Sequence, residues 1–361
     1  MRKLIAGMVA VLLAAVSAFP VQAISAKSAI VLDASTGRVL YEKNADKQSL
    51  IASTTKIMTA LVVCEQCNVM DRVRIPKEAV GIEGSSMYLR EGEVLTVQEL
   101  LYGLMLHSGN DAAAALAIYC GGTVEGFAEL MNDKAHALGL KGTHFMNPHG
   151  LDSPGHYSTA RDLARLTAYA MKNPIFAQTV STKTVSAGDR CLCNHNKLLW
   201  QVDGAEGVKT GYTKAAGRIL VSSTLRDGRR LVTVTINAPD DWKDHSILIE
   251  NGYKDYQVTQ LIKPGQCMGT VSVIGSDVES VDLLAAEGFS FSLRQEERVQ
   301  FVLPGPGFVY APFSGNQEAG FAQVLVDGVA VGKVPLAYAD GAEMKKSPER
   351  SLWEKIFRRA G

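Results

Sequence analysis

The stretch that decides the reading is Ser53-Thr54-Thr55-Lys56, followed at once by Ile57-Met58-Thr59-Ala60-Leu61-Val62-Val63. The apolar run reads as a helix that Ser53 opens. Three residues make nearly one helical turn, so Lys56 returns to the face that carries Ser53. A serine hydroxyl is a weak nucleophile at neutral pH and needs a base beside it. A lysine titrates ordinarily at about 10.4, and burial lowers that value by disfavouring the ammonium. A neutral amine one turn from a serine can then take the hydroxyl proton. Taken alone, Ser-x-x-Lys also arises by chance, and Ser53 also suits a helix cap.

Two further triplets decide between these readings. Ser108-Gly109-Asn110 falls between a helix opened by the capping box Thr96-Val97-Gln98-Glu99 and an alanine-rich helix from Ala112 to Tyr119. Lys209-Thr210-Gly211 falls where a sheet strand should begin, and Gly211 leaves room for a substrate backbone to approach. The set S-x-x-K, S-D-N, K-T-G in this chain order marks penicillin-recognising serine enzymes, with Gly109 here in place of the aspartate.

Working outward, Ser28–Asp33 and Arg38–Glu42 read as a hairpin about the turn Ala34-Ser35-Thr36-Gly37. Helices are expected from Ser53 to about residue 172, then paired strands at Gly217–Thr224 and Leu231–Asn237 about the turn Asp227-Gly228. A closing helix is expected over Ser246–Leu261. Strands, a block of helices and strands again describe an α+β fold: one antiparallel sheet with helices on both faces. After Pro264-Gly265 come short strands and little helix signal, with a second hairpin turn at Asp327-Gly328. The expected divisions are a leader over 1–23, the main domain over 24–263, a small all-β domain over 264–341 and a tail over 342–361.

The two ends differ from the rest. Arg2 and Lys3 precede an apolar run from Leu4 to Phe19, with small residues at Val21-Gln22-Ala23 and at Val16-Ser17-Ala18, the layout of a secretory signal. The tail concentrates Lys345, Lys346, Arg350, Lys355, Arg358 and Arg359, while Leu352, Trp353, Ile356 and Phe357 recur at helical spacing. Eleven helical residues span roughly 16 Å, too short to cross a bilayer but suited to lying in its surface. The alternative is a helix docked on its own protein. The 361-residue chain has no formal net charge, so no global basic field points to nucleic acid. Six cysteines (Cys64, Cys67, Cys120, Cys191, Cys193, Cys267) lack the spacing of a zinc set and are expected to be structural thiols or disulfides, Cys64 with Cys120 being one pairing. No phosphate loop, nucleotide fingerprint or metal set appears, so no cofactor is expected.

On A-S-T-T-K-I-M-T-A (52–60), E-G-S-S-M-Y-L (83–89), L-H-S-G-N-D-A-A (106–113), N-P-H-G-L-D (147–152), G-H-Y-S-T-A-R-D-L-A (155–164) and V-K-T-G-Y-T (208–213), the chain resembles the low-molecular-mass penicillin-binding D-alanyl-D-alanine carboxypeptidases, from about Ser28 to Phe357. The resemblance implies an enzyme at the outer face of the cytoplasmic membrane. It would take the terminal D-alanine from peptidoglycan stem pentapeptides through an acyl-serine, and β-lactams would inhibit it covalently. It implies Ser53 as nucleophile, Lys56 as its base, Ser108 as proton relay to the leaving D-alanine, and Asn110 on the substrate amide. Lys209 would supply positive potential, Thr210 would bind the terminal carboxylate, and the amides of Ser53 and Tyr212 would form the oxyanion hole. His149 and Asp162 match positions bordering the cleft, Asp162 reading better as a helix-start carboxylate. Some members hold the substrate carboxylate with an arginine after the last strand; here Ala238–His245 contains none, leaving Lys214, Lys243 or the Lys209–Thr210 pair. An endopeptidase, a β-lactamase and a non-catalytic wall-binding protein are the competing readings on the same fold.

Overall fold

The computed structural model describes residues 24–345; the leader and the tail beyond Lys345 lie outside the described residues. The chain enters as the expected hairpin, β1 (Ser28–Asp33) and β2 (Val39–Lys43). A single 3-10 turn, Ala52–Thr55, then runs into α1 (Lys56–Gln66). Every residue of α1 from Lys56 to Val63 is buried, the mark of a helix threaded through the core rather than laid on it. A small hairpin, β3 (Arg72–Arg74) with β4 (Val94–Thr96), leads to α2 (Val97–Leu106). The capping box forms as expected: Glu99 N donates to Thr96 Oγ1 at 3.2 Å and Thr96 N to Glu99 Oε2 at 2.8 Å. Next come α3 (Asn110–Gly121), whose alanines let it pack against α1 and α2, then α4 (Val124–Ala137), α5 (Ala160–Ala170) and α6 (Pro174–Ser181).

The hairpin β5 (Thr184–Ala187) and β6 (Arg190–Cys193) and one helical turn, α7 (Leu198–Gln201), precede the long strands. These are β7 (Ala205–Thr213), β8 (Gly217–Arg226) and β9 (Arg229–Ile236), followed by α8 (Asp241–Lys254). Asp227 and Gly228 both take positive φ (49° and 77°), the two-residue turn that matches strand twist. The five strands form one antiparallel sheet in the order β2-β1-β9-β8-β7, which makes β7 an edge. Because strand residues alternate between faces, Ile30, Leu32, Ile219, Val221, Val232 and Val234 pack on the helices α1–α6. Ala29, Val31 and Leu231 pack on α8 with Leu248 and Tyr256. The α+β sheet with helices on both faces is therefore observed.

The closing helix departs from expectation. It begins five residues earlier, where Asp241 and Asp244 favour the positive end of a helix dipole. It stops at Lys254, and Gln257–Ile262 forms β10, paired with β13 (Phe289–Leu293). The rest of this region is a sheet of β11 (Cys267–Ile274), β12 (Ser280–Ala285), β14 (Val299–Val302), β15 (Phe308–Tyr310), β16 (Glu318–Val326) and β17 (Val329–Tyr338) in the order β14-β16-β17-β12-β11-β15. The two regions are joined by polar contacts, buried at Asp33 and half-buried at Arg38. Asp33 Oδ2, at the end of β1, accepts from Arg229 Nε at 2.8 Å and from Ser292 Oγ of β13, and Arg38 pairs with Glu297.

All six cysteines are free thiols, and the thiol that bears most on Cys120 is Cys67, not Cys64. Cys67 caps α1 in an extended conformation, which carries its sulfur off the helix towards the end of α3. Cys64 remains on the helix, where burial pushes its thiol up to about 12.

Candidate active site

Ser53 lies within the 3-10 turn, and its hydroxyl does not cap α1. The turn is strained at its start, where Ala52 takes φ 46°. Two glycines hold it from outside. Gly150, at φ 87°, sits so close that any side chain would overlap the Ala52 carbonyl. At Gly211 of β7 a Cβ would fall 3.2–3.3 Å from the amides of Thr54 and Ser53 and the Ile51 carbonyl. The bareness of residue 211 thus admits the chain's own serine turn against β7.

Lys56 is fully buried. Its Nζ lies 3.1 Å from Ser53 Oγ, 2.6 Å from Asn110 Oδ1 and 2.7 Å from the His149 carbonyl oxygen. The two carbonyl oxygens can only accept, so they take two N–H bonds. A neutral amine has no third hydrogen, and its lone pair is left to accept from the Ser53 hydroxyl. Burial, then the nearby Lys209 charge, holds Lys56 well below the ordinary lysine range, while Asp111 opposes this.

The walls are built around these contacts. Asn110 opens α3; its Nδ2 donates to the Glu83 carbonyl and its amide to Ser85 O at 2.7 Å. Both ends of its side chain are therefore engaged within the protein, a geometry the sequence did not disclose. The 83–89 loop is clamped by Asp111, which accepts from Ser86 Oγ at 2.6 Å, Leu89 N at 3.0 Å and Met87 N at 3.1 Å. Arg190 of β6 reaches the Met87 and Tyr88 carbonyls at 2.6 and 2.8 Å. Ser108 stands between α2 and α3 with φ 60°, buried, and its Oγ meets no partner among the described residues.

The opposite wall is the 147–151 loop. Asn147 closes it by accepting from Gly150 N at 2.7 Å and donating to Leu151 O at 3.0 Å, and Thr59 of α1 donates to Pro148 O at 2.6 Å. His149 contributes its carbonyl to Lys56, while burial pushes its ring down to about 4. His156, which no motif flagged, accepts from Met146 N at 3.1 Å through Nδ1. Its Nε2 therefore carries the proton and donates to Thr55 Oγ1 at 2.8 Å. Asp162 sits in the first turn of α5 and accepts from Gly142 N at 2.7 Å and Thr143 Oγ1 at 2.9 Å, the structural part expected of a helix-start carboxylate.

Lys209 is buried, its Nζ donating to Thr210 O at 3.1 Å, and burial pushes it down to about 7. Thr210 is half-buried and Tyr212 is 65 % exposed on the edge strand. Ser53, Lys56, Asn110 and Gly211 thus converge directly, with Lys209 close enough for its charge to act on Lys56. Lys214 lies in the β7–β8 turn and Lys243 on α8, both exposed. No group of three or more potential metal ligands occurs among the described residues.

A helix-flanked antiparallel sheet, with a serine and a buried lysine between its edge strand and its helical layer, defines the transpeptidase-like class of serine hydrolases. The chain belongs to the D-alanyl-D-alanine carboxypeptidase family, whose sequence profile matches residues 14–240; that of the penicillin-binding protein 5 C-terminal domain matches residues 256–343. Among curated relatives, D-alanyl-D-alanine carboxypeptidase DacF of Bacillus subtilis is 32% identical over 338 residues, covering 89% of this chain and 86% of its own. DacC of Escherichia coli is 33% identical over 340 residues, covering 89% and 85%. Among solved structures, penicillin binding protein 5 from Haemophilus influenzae superposes with a TM-score of 0.78 at 29% identity, over 89% of this chain and 98% of that one.

Proposed function

We propose that this serine hydrolase removes the terminal D-alanine from peptidoglycan stem pentapeptides through an acyl-enzyme on Ser53, and that β-lactams acylate the same hydroxyl. The observation that carries the reading is the 3.1 Å approach of a fully buried Lys56 Nζ to Ser53 Oγ, with two carbonyl oxygens at 2.6 and 2.7 Å as its other partners. In this scheme the Lys56 lone pair takes the hydroxyl proton as Ser53 attacks the penultimate carbonyl. The amides of Ser53 and Tyr212 receive the oxyanion, each such donor being worth roughly 3–4 kcal/mol of barrier. As the C–N bond to D-alanine breaks, Ser108, whose hydroxyl is free to turn, gives its proton to the departing nitrogen and recovers one from the Lys56 ammonium, which returns to the neutral amine. Asn110 holds Lys56 and the substrate amide side of the cleft, Lys209 supplies positive potential and Thr210 meets the terminal carboxylate. Water then hydrolyses the ester.

The organisation we infer around this site is a leader over 1–23, a peptidase domain over 24–263, a β domain over 264–341 and a membrane-surface tail over 342–361. It places the enzyme outside the cytoplasmic membrane as a peripheral protein serving wall construction and cell shape. No described helix is long and apolar enough to cross a membrane. The test is product analysis on a defined pentapeptide and on cross-linked muropeptides. Release of free D-alanine from the pentapeptide, blocked by penicillin and absent in Ser53→Ala, is expected. Cleavage of cross-links alone would assign the endopeptidase activity instead.

A further inference from the structure

The stretch Ala238–His245, where the resemblance leads one to look for a carboxylate-binding arginine, has none. The sheet supplies one from another strand. We propose that Arg218 of β8 binds the C-terminal carboxylate of the substrate peptide and sets the preference for a free C-terminus; this rests on the peptidase reading above.

The register carries the argument. Thr210 of β7 lies opposite Leu220 of β8, and Tyr212 lies opposite Arg218. Opposed residues project from the same face, as do residues two apart, so Thr210, Tyr212 and Arg218 share one face of the sheet. Arg218 is the diagonal neighbour of Thr210. Diagonal neighbours sit about 7–8 Å apart, within reach of a long side chain. Lys209 and Gly211 occupy the other face, where Gly211 meets the Ser53 turn. A peptide that adds as a strand outside the β7 edge lies in the plane of the sheet. Ser53 then approaches it from one face, and its C-terminus stays open to Arg218 from the other.

The side chain is also prepared for the task. Arg218 is 44% exposed, yet one nitrogen of its fork is fixed by Asp241, which is 4% exposed, at 2.9 Å. Asp241 Oδ1 is itself held by Trp242 N at 3.0 Å. No other side-chain bond of Arg218 occurs among the described residues, so the rest of the guanidinium is free for the two parallel bonds that carboxylates accept from arginine. Burial pushes Lys209 down to about 7, so it carries only part of a charge at neutral pH, whereas a guanidinium is not deprotonated in proteins. Exposed Lys214 and Lys243 have no comparable anchor among the described residues.

The experiment compares D-alanine release from a peptide ending in D-Ala-D-Ala with release of D-alaninamide from the same peptide ending in the carboxamide. The wild type is expected to favour the free acid. Arg218→Ala is expected to raise KM for the acid about tenfold to a hundredfold and to remove most of the preference over the amide. Arg218→Lys keeps the charge without the fork and should retain part of that preference. Asp241→Asn loosens the anchor and should lower the preference, though by less than Arg218→Ala does. Arg218→Ala that keeps the preference, or loses activity on acid and amide equally, overturns the assignment. If Arg218→Ala does not fold, Arg218→Lys decides, and a full preference in that variant overturns it. A wild type that releases neither product refutes the peptidase reading itself.

Discussion

The two faces of the central sheet bury polar groups in opposite ways. On the α8 face, His245 is fully buried with Nδ1 2.8 Å from Ser222 Oγ and Nε2 3.0 Å from Thr235 Oγ1. At the end of the same sheet, Asp33 uses both oxygens, receiving Ser35 N and Thr36 N at 2.9 and 3.1 Å on one and Arg229 and Ser292 on the other. On the helical face, Lys209 has one carbonyl, Ser108 Oγ has no partner among the described residues, and Lys56 Nζ lies 3.1 Å from a hydroxyl oxygen that must leave it during attack. Where burial serves the fold, the charged groups are paired, although Arg229 Nη2 and Thr233 Oγ1 meet no partner among the described residues. In the cleft, capacity is left over for a substrate.

That contrast can be broken from either side. The largest effect is expected from Lys56→Met, which keeps the volume and removes the base. Penicillin acylation, followed by intact-protein mass, should slow by up to about 10⁴-fold while the fold persists. Next comes Asp33→Ala on the structural side. It strands Arg229, whose side chain is 9% exposed, and should cost about 3–5 kcal/mol in urea unfolding. The acylation rate of the folded fraction should change little. Equal damage to rate in both variants would erase the distinction between the faces.

The smallest expected effect is a pH slope. Burial pushes His156 and His245 down to about 4 and 3, against an ordinary value of about 6.5. Below 6.5 the unfolded chain binds protons that the folded protein refuses, so stability is full above that pH and falls as pH drops towards 4. Each histidine should contribute on the order of 2 kcal/mol of loss between pH 6.5 and 5. His245→Gln should flatten its share of the urea-midpoint slope; an unchanged slope would mean that the ring is protonated in the fold.

The readable parts of the sequence were those set by local chemistry. The Thr96–Glu99 box and the Asp227-Gly228 turn depend on a few adjacent residues and form as read. The pairing of Ser53 with Lys56 follows from helical spacing, although a 3-10 turn supplies part of it. What stayed hidden depends on distant backbone. The acceptors for Lys56 and Asn110 include the carbonyls of His149 and Glu83, and carbonyls leave no residue-type signal. The tautomer of His156 is set by Met146 N and Thr55. In the β domain, alternation is blurred because Phe301, Val302 and Phe308 remain exposed, so the sequence shows short strands there without their order in the sheet. The closing helix was extended over Gln257–Ile262, whose partner strand lies about thirty residues on.

The account rests on an amine that is uncharged at neutral pH beside Ser53. Its most direct test is a carbon-13 NMR titration of the lysine Cε signals, with Lys56→Met and Lys209→Met used to assign the two buried lysines. The expected result is a Lys56 signal that titrates well below those of the exposed lysines and shows the uncharged amine at neutral pH. A Lys56 signal titrating near 10.4, with the ammonium intact at neutral pH, would contradict it.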